Sequence, residues 1–295
     1  MNGNAGEDYD LPDAGAALTS FIVPACAAQD SIGAAVESLV ALRQPHWEAV
    51  IVSDDGVDYL ALLAAQGITD KRLRMVSTGR VASGCHRARN VGLAAARGDF
   101  VTQLDADDLV TPDRLTRLLP LAAEYGAAAD NLLTVDAASG ARLRHALGET
   151  TITRLLEGAD IVALSTPLVP LVRRDHMLMR AQGAEHSEDV IANLQLVARI
   201  GRLPVVPEAS YIYRIRANSI CHSPGAAAAF ETAYTAYLDR LDSGDGFGLP
   251  EPLRRAARAA IVEKRELNRG YAAAVKAGFV GTFQHYVQQR AGETV

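Results

Sequence analysis

Five acidic residues stand where apolar runs end, and their placement suggests chemistry before any other feature does. "QLDADDLVTPDRL" sets Asp105, Asp107 and Asp108 directly after one apolar run, and "VSDDG" sets Asp54 and Asp55 after an earlier one. Clustered carboxylates repel each other unless a cation or hydrogen-bond donors offset the charge. Hard oxygen ligands beside open positions suit Mg2+ or Mn2+ shared with substrate phosphates. Taken alone, "DADD" is equally well an acidic turn entering a helix, where negative charge is favourable, and Asp54-Asp55-Gly56 is an ordinary turn. "HRARN", with Arg87, Arg89 and Asn90, and "SEDV", with Glu188 and Asp189, add polar groups further along. Each also has a plain reading, as a solvated helix face and as a capped, acidic helix start. Their order along the chain argues against four independent accidents.

The elements that must position these groups follow from periodicity. From Thr19 onward, apolar runs of strand length alternate with segments of helical period, the signature of a mainly parallel, helix-covered sheet. "TSFIVPA" is a first strand ended by Pro24, followed by a helix that Ser31 can cap. "WEAVIVSDDG", "KRLRMVSTG" and "DFVTQLDADD" are the next three strands, each with a helix after it. The fourth helix is expected to start with Thr111 as N-cap, Pro112 in the first helical position and Asp113 in the first turn. In such sheets ligands sit beyond the carboxyl ends of the strands, and both acidic clusters fall there.

After residue 126 the rhythm changes. "AADNLLTVDAASGARLRH" predicts a strand, a turn and a returning strand, and "STPLVPLVRRD" a strand whose prolines suggest an edge or irregular position. "SEDVIANLQLVARIG" is an amphipathic helix, "RLPVVPEASYIYRIR" returns to strand, and the remainder is Ala/Arg-rich and helical. The expected organisation is a flexible leader (1–17), a catalytic region (18–222) with a nucleotide-binding half (18–126) and an acceptor half (127–222), and a helical C-terminal region (223–295).

Composition narrows the partners. A chain of 295 residues, 49% of them hydrophobic, can bury a large core. A net charge of −6 without a basic run gives no footprint for nucleic acid or an anionic membrane. Cys26, Cys85 and Cys221 are too scattered for a disulfide framework or a CxxC site, and read as buried free thiols. The acidic start lacks a secretory pattern, and no run approaches the roughly 18 apolar residues of a membrane span. The expectation is a cytoplasmic protein with at most peripheral membrane contact; the C-terminal helices could also serve a homodimer.

The first strand, "VSDDG", "ARNVGLAAARGDFV", "LDADD", a later "ED" and "YRIRANSI" together resemble the successive motifs of family 2 glycosyltransferases over about Thr19 to Ser223. The resemblance implies an α/β, GT-A (Rossmann-like) fold, a mainly parallel central sheet flanked by helices, here with a helical C-terminal extension. It implies inverting transfer of a sugar from a nucleotide diphosphate donor, most commonly a UDP-sugar, to a saccharide, lipid-linked or other hydroxyl acceptor. By the same resemblance Pro24, Ala25, Cys26, Asp54 and Asp55 line the nucleotide pocket, and Arg89 and Asn90 help form the donor site. Asp105, Ala106 and Asp107 match the DxD region, with Asp107, Asp108 and Asp105 as the divalent-metal candidates and Asp107 the preferred ligand. Asp189 matches the catalytic base, with Glu188 and His186 beside it. Two departures stand out: no aromatic residue follows the first strand, and "YRIR" replaces the more usual "YRxH", so Arg214, Arg216 or His222 would contact the diphosphate. A metal-dependent nucleotidyltransferase and a non-catalytic binding domain are the alternatives. The first would require a Gly-rich basic loop after strand one, which "PACAAQDSIGAA" lacks.

Overall fold

The computed structural model describes residues 16–164, 166, 168–179, 188–216, 225–243, 245–281 and 283–292. β1 (Thr19–Ala25), β2 (Trp47–Ser53), β3 (Leu73–Ser77) and β4 (Phe100–Gln103) are parallel neighbours in the order β3-β2-β1-β4. Both faces of β1 are covered, which is why it reads as an unbroken apolar run. Phe21 and Val23 pack with α1 (Ile32–Val40), α2 (Tyr59–Ala65) and α4 (Arg114–Tyr125), while Ile22 packs on the other face with α3 (Cys85–Ala95).

The sheet continues through β10 (Leu171–Arg173), β6 (Ala127–Asp130), β11 (Leu203–Val206) and β9 (Arg154–Leu156). β10 runs antiparallel between β4 and β6, so it is an interior strand and not the edge its prolines suggested. Pro170 lies just before it, where no ladder hydrogen bond is required. A second sheet of four strands has the order β5 (Leu109–Val110), β12 (Tyr211–Ile215), β7 (Leu133–Asp136) and β8 (Arg142–His145). The expected single strand from residue 128 therefore divides, β6 in one sheet and β7 in the other. Asn131 makes the break: its amide donates to Gly148 O at 2.8 Å and accepts from Leu147 N–H at 2.8 Å, while its own N–H reaches Val206 O at 3.0 Å.

Local signals were overridden at three helix and strand ends. Pro24 does not end β1: it pairs in register with Val52, and its missing N–H falls on the β4 side, where pairing stops at Ile22. Ser31 precedes α1, yet its hydroxyl points back to Ala28 O at 3.4 Å and caps nothing. α4 starts at Arg114, two residues later than the Thr111-Pro112 signal, because Thr111 N–H is held by Ser210 O as β5 leaves its pairing with β12.

α5 (Gly158–Ala163), α6 (Glu188–Ile200), α7 (Ala226–Asp242), α8 (Glu251–Lys276) and α9 (Phe283–Gly292) complete the described chain. Leu194 and Val197 of α6 share one buried cluster with Tyr237 and Leu241 of α7 and Ala257 and Ile261 of α8. The C-terminal helices thus close the core beneath α6, which carries Glu188 and Asp189. Among the described residues no helix is long and apolar enough to cross a membrane.

Candidate active site

The parallel register sets Ala25 beside Ser53, so the chain after β1 and the chain after β2 emerge together at the carboxyl edge. Asp55 joins them. Its carboxylate accepts the Ala27 N–H at 2.7 Å, the Tyr59 hydroxyl at 2.7 Å, the Val57 N–H at 3.1 Å and the Ser53 hydroxyl at 3.3 Å. Ala27 is held at φ +50°, a left-handed conformation that a non-glycine residue adopts only when its surroundings impose it. Burial alone would raise the Asp55 carboxyl; Tyr59, Ala27, Val57 and Ser53 outweigh it and hold the group below the ordinary aspartate range. Asp54 is 3% exposed and faces the other way. It accepts the hydroxyls of Thr78 and Ser83 and the Gly84 N–H, which wraps the loop before α3 around it. Asp55 therefore borders the expected nucleotide pocket directly, and Asp54 acts on it only through that loop. Pro24 is half-buried, Ala25 buried and Cys26 exposed, so Cys26 departs from the buried-thiol expectation. Cys85 is partly buried, its thiol pushed up to about 12 by burial.

Because Asp55 titrates lower in the folded chain than the unfolded value of about 3.9, its contribution to stability is complete above that value and lost as pH falls through the folded value. Denaturant midpoints measured between pH 6 and pH 3 should fall less steeply in Asp55→Asn than in the unaltered protein. Equal slopes would remove Asp55 from the acid-sensitive set.

α3 brings Arg89 in because Gly92 permits it. A Cβ at Gly92 would lie 2.4 Å from Ile22 and 2.9 Å from Val52, so only glycine lets the helix lie this close to the sheet. One turn earlier, the Arg89 guanidinium is buried and meets three carboxylates. Nη2 reaches Asp105 Oδ1 at 3.0 Å; Nη1 contacts Glu188 Oε1 and lies 3.8 Å from Asp189 Oδ1. Burial alone would pull this guanidinium down; Asp105, Asp189 and Glu188 keep it charged. Asn90 follows on the same helix, half-buried. Arg89, expected to help form the donor site, joins the acidic turn after β4 to the start of α6.

The acidic turn is fixed from below by β12. Asp105 N–H donates to the Tyr211 hydroxyl at 3.2 Å, and that hydroxyl donates to Asp108 Oδ2 at 2.8 Å. Arg214 N–H donates to Asp108 Oδ1 at 2.8 Å. Asp108 is 1% exposed with both oxygens engaged, so it anchors the turn and is not an open metal ligand, a correction to the three-carboxylate expectation. Burial, then Asp105 and Asp107, drive its carboxyl well up. Ala106 is buried within the turn. Asp107 is partly exposed and paired with the Arg216 guanidinium, and Arg214 Nη1 lies 3.5 Å from Asp107 O. Burial and Asp105 raise the Asp107 carboxyl more than Arg216 lowers it. Deeper still, Arg114 pairs with Asp130, whose Oδ1 accepts the Tyr211 N–H at 3.0 Å.

Asp189 stands in the first turn of α6 with a third of its side chain exposed, while Glu188 beside it is buried. Tyr237 of α7 packs near both: burial raises its hydroxyl first, and the charges of Glu188 and Asp189 add to the effect. His186 and His222 lie outside the described residues. One guanidinium thus gathers Asp105, Glu188 and Asp189, Arg214 and Arg216 bracket Asp107, and Asp55 stands apart at the end of β2. Among the described residues no three His, Cys, Asp or Glu side chains come together as a closed metal cage. Tyr211, Tyr59 and Tyr237 escaped sequence reasoning. Only Tyr211 left a trace there, since strand alternation in "YIYRIR" puts it on the same face as Tyr213.

Comparison with known proteins gives a consistent result. The family model described as "Glycosyl transferase family 2" matches residues 20–169. The Succinoglycan biosynthesis protein ExoO of Rhizobium meliloti (strain 1021) is 31% identical over 287 residues, covering 90% of this chain and 82% of that protein. The UDP-Glc:alpha-D-GlcNAc-diphosphoundecaprenol beta-1,3-glucosyltransferase WfgD of Escherichia coli is 31% identical over 98 residues, 33% of this chain and 38% of that protein. The crystal structure of S. aureus TarS 1-349 in complex with UDP-GlcNAc superposes with a TM-score of 0.64 at 17% identity, covering 83% of this chain and 71% of that chain.

Proposed function

The chain belongs to glycosyl transferase family 2, and from that premise we propose that it is an inverting enzyme moving a sugar from a UDP-sugar to a hydroxyl acceptor in the assembly of a surface polysaccharide. The observation that carries the reading is the Arg89 clasp, which holds the acidic turn and the Glu188-Asp189 pair on the two prongs of one guanidinium. A donor diphosphate and an acceptor hydroxyl need such adjacent groups. The GT-A architecture supports it, as do the UDP-sugars in the names of WfgD and of the TarS complex.

In this reading Asp55 and the segment Pro24, Ala25 and Cys26 border the base, and Asp105 and Asp107 face the ribose and diphosphate. Arg214 and Arg216 supply positive charge beside the turn. Asp189 takes the proton from the acceptor hydroxyl as that oxygen attacks the anomeric carbon from the face opposite the leaving diphosphate, giving inversion. Asp107 and Asp105 fit a divalent metal. They are hard oxygen donors on one turn, both still partly exposed. Bound there, Mg2+ or Mn2+ supplies charge neutralisation for the leaving nucleoside diphosphate.

Melting curves with nucleoside diphosphates and Mn2+ test the donor assignment. At about 100 times its Kd, UDP with Mn2+ should add roughly 2.7 kcal/mol, a rise of several degrees in Tm. Asp107→Asn should lose most of the Mn2+-dependent part. No rise with any nucleoside diphosphate would sink the reading.

A further inference from the structure

Away from the acidic turn, two cations converge on one short segment. Arg144 of β8 and Lys264 of α8 both reach the short segment after α5: Arg144 Nη2 donates to Thr166 Oγ1 at 2.9 Å, and Lys264 Nζ donates to Leu164 O at 3.3 Å. Neither forms an ion pair with an Asp or Glu among the described residues, although most arginines of the chain do. Burial depresses the Lys264 ammonium first; the charge of Glu263 opposes that, and the charge of Arg144 adds to it. Burial likewise lowers Arg144. A lysine has three N–H donors and an arginine five, and the two contacts above use one from each. Like charges taken partly out of water and set side by side are unfavourable unless an anion is shared between them.

The second sheet gives this pair a place relative to the acidic turn. Thr134 of β7 pairs with Tyr213 of β12 on one side and with Arg144 of β8 on the other. Two strand spacings separate Arg144 from Tyr213, about 10 Å. Arg214, next to Tyr213, is the residue bound to Asp108 and Asp107.

We propose that Arg144 and Lys264, with the Thr166 hydroxyl, form an oxyanion-binding subsite that takes a phosphoryl or carboxylate group of the acceptor. The assignment of the anion to the acceptor rests on the transferase reading; the anion site itself does not. Either kind of oxyanion fits a planar guanidinium beside a compact ammonium.

The chain has only three lysines, Lys71, Lys264 and Lys276, so biosynthetic incorporation of 13Cε-labelled lysine, which leaves every ammonium and its donors unaltered, gives a lysine NMR spectrum in which Lys264→Arg identifies the Lys264 signal. Inorganic phosphate should move that signal saturably while leaving Lys71 and Lys276 in place. Arg144→Gln should weaken the response about tenfold, and Arg144→Lys should largely retain it. Glucuronate in place of phosphate distinguishes a sugar acid from a phosphoryl group, and a response to either supports the site. No saturable movement with either anion, or an unchanged response in Arg144→Gln, would overturn it. Melting curves with UDP and Mn2+ on the same samples separate the two readings. A phosphate response without UDP stabilisation sinks the transferase reading alone; the reverse sinks the anion site alone.

Discussion

Asp189→Asn should lower kcat by about 10²- to 10⁴-fold, the usual range for loss of a general base, and leave the affinity for UDP-sugar nearly unchanged. The geometry makes the two effects separable. Asp189 lies at the start of α6, a third exposed, while the acidic turn proposed to face the diphosphate is fixed by contacts to Tyr211, Arg214 and Arg216. Asparagine keeps the size and can still accept a hydrogen bond, so the fold has little reason to change, yet it cannot take a proton at neutral pH. Asp189 meets Arg89 only at 3.8 Å, and Glu188 carries the closer contact, so neutralising Asp189 leaves the guanidinium paired. Initial rates with saturating donor, and donor binding measured separately by calorimetry, check this. Near-normal turnover in Asp189→Asn would remove it as the base; a large loss of donor affinity would make it part of the donor site.

The sequence made the alternation of strands and helices up to residue 126 readable because β1 and β2 are covered on both faces and α1 and α4 each carry an apolar stripe. The order of the acidic motifs was readable for a similar reason: in a parallel sheet the strand ends that carry them fall on one edge. The resemblance to family 2 glycosyltransferases is borne out by the family match and the shared architecture. What stayed hidden depends on partners far along the chain. Nothing local to "AADNLL" says that Asn131 will turn the chain from one sheet into another, since its partners are Leu147, Gly148 and Val206. Nothing local to "DADD" distinguishes Asp108 from Asp107. The difference arises because Tyr211 and Arg214, a hundred residues later, bind both oxygens of one and leave the other to the half-exposed Arg216 guanidinium. Pro24 misled for a related reason: a proline is excluded from a strand only where a neighbour needs its N–H, and β4 has already stopped pairing there.

Arg89→Met should be the most damaging single replacement at the site. It removes a cation that pairs with Glu188, itself 5% exposed, and taking away one partner of a buried ion pair costs about 3–5 kcal/mol. The contacts to Asp105 and Asp189, both at least a third exposed, add less because solvent screens them. Urea midpoints would show the loss directly. Combining Arg89→Met with Glu188→Gln should recover a substantial part of it, since a neutral amide no longer needs the guanidinium; Arg89→Lys should fall between, keeping the charge and losing the fork that reaches both sides. Activity should not follow stability in this set. The double replacement restores folding but leaves the acidic turn and α6 without their shared tie, so kcat/KM should stay low even where the midpoint recovers. Recovery of both together would mean that Arg89 serves only the fold, and a loss of unfolding free energy below about 1 kcal/mol in Arg89→Met would mean that Glu188 is neutralised in some other way.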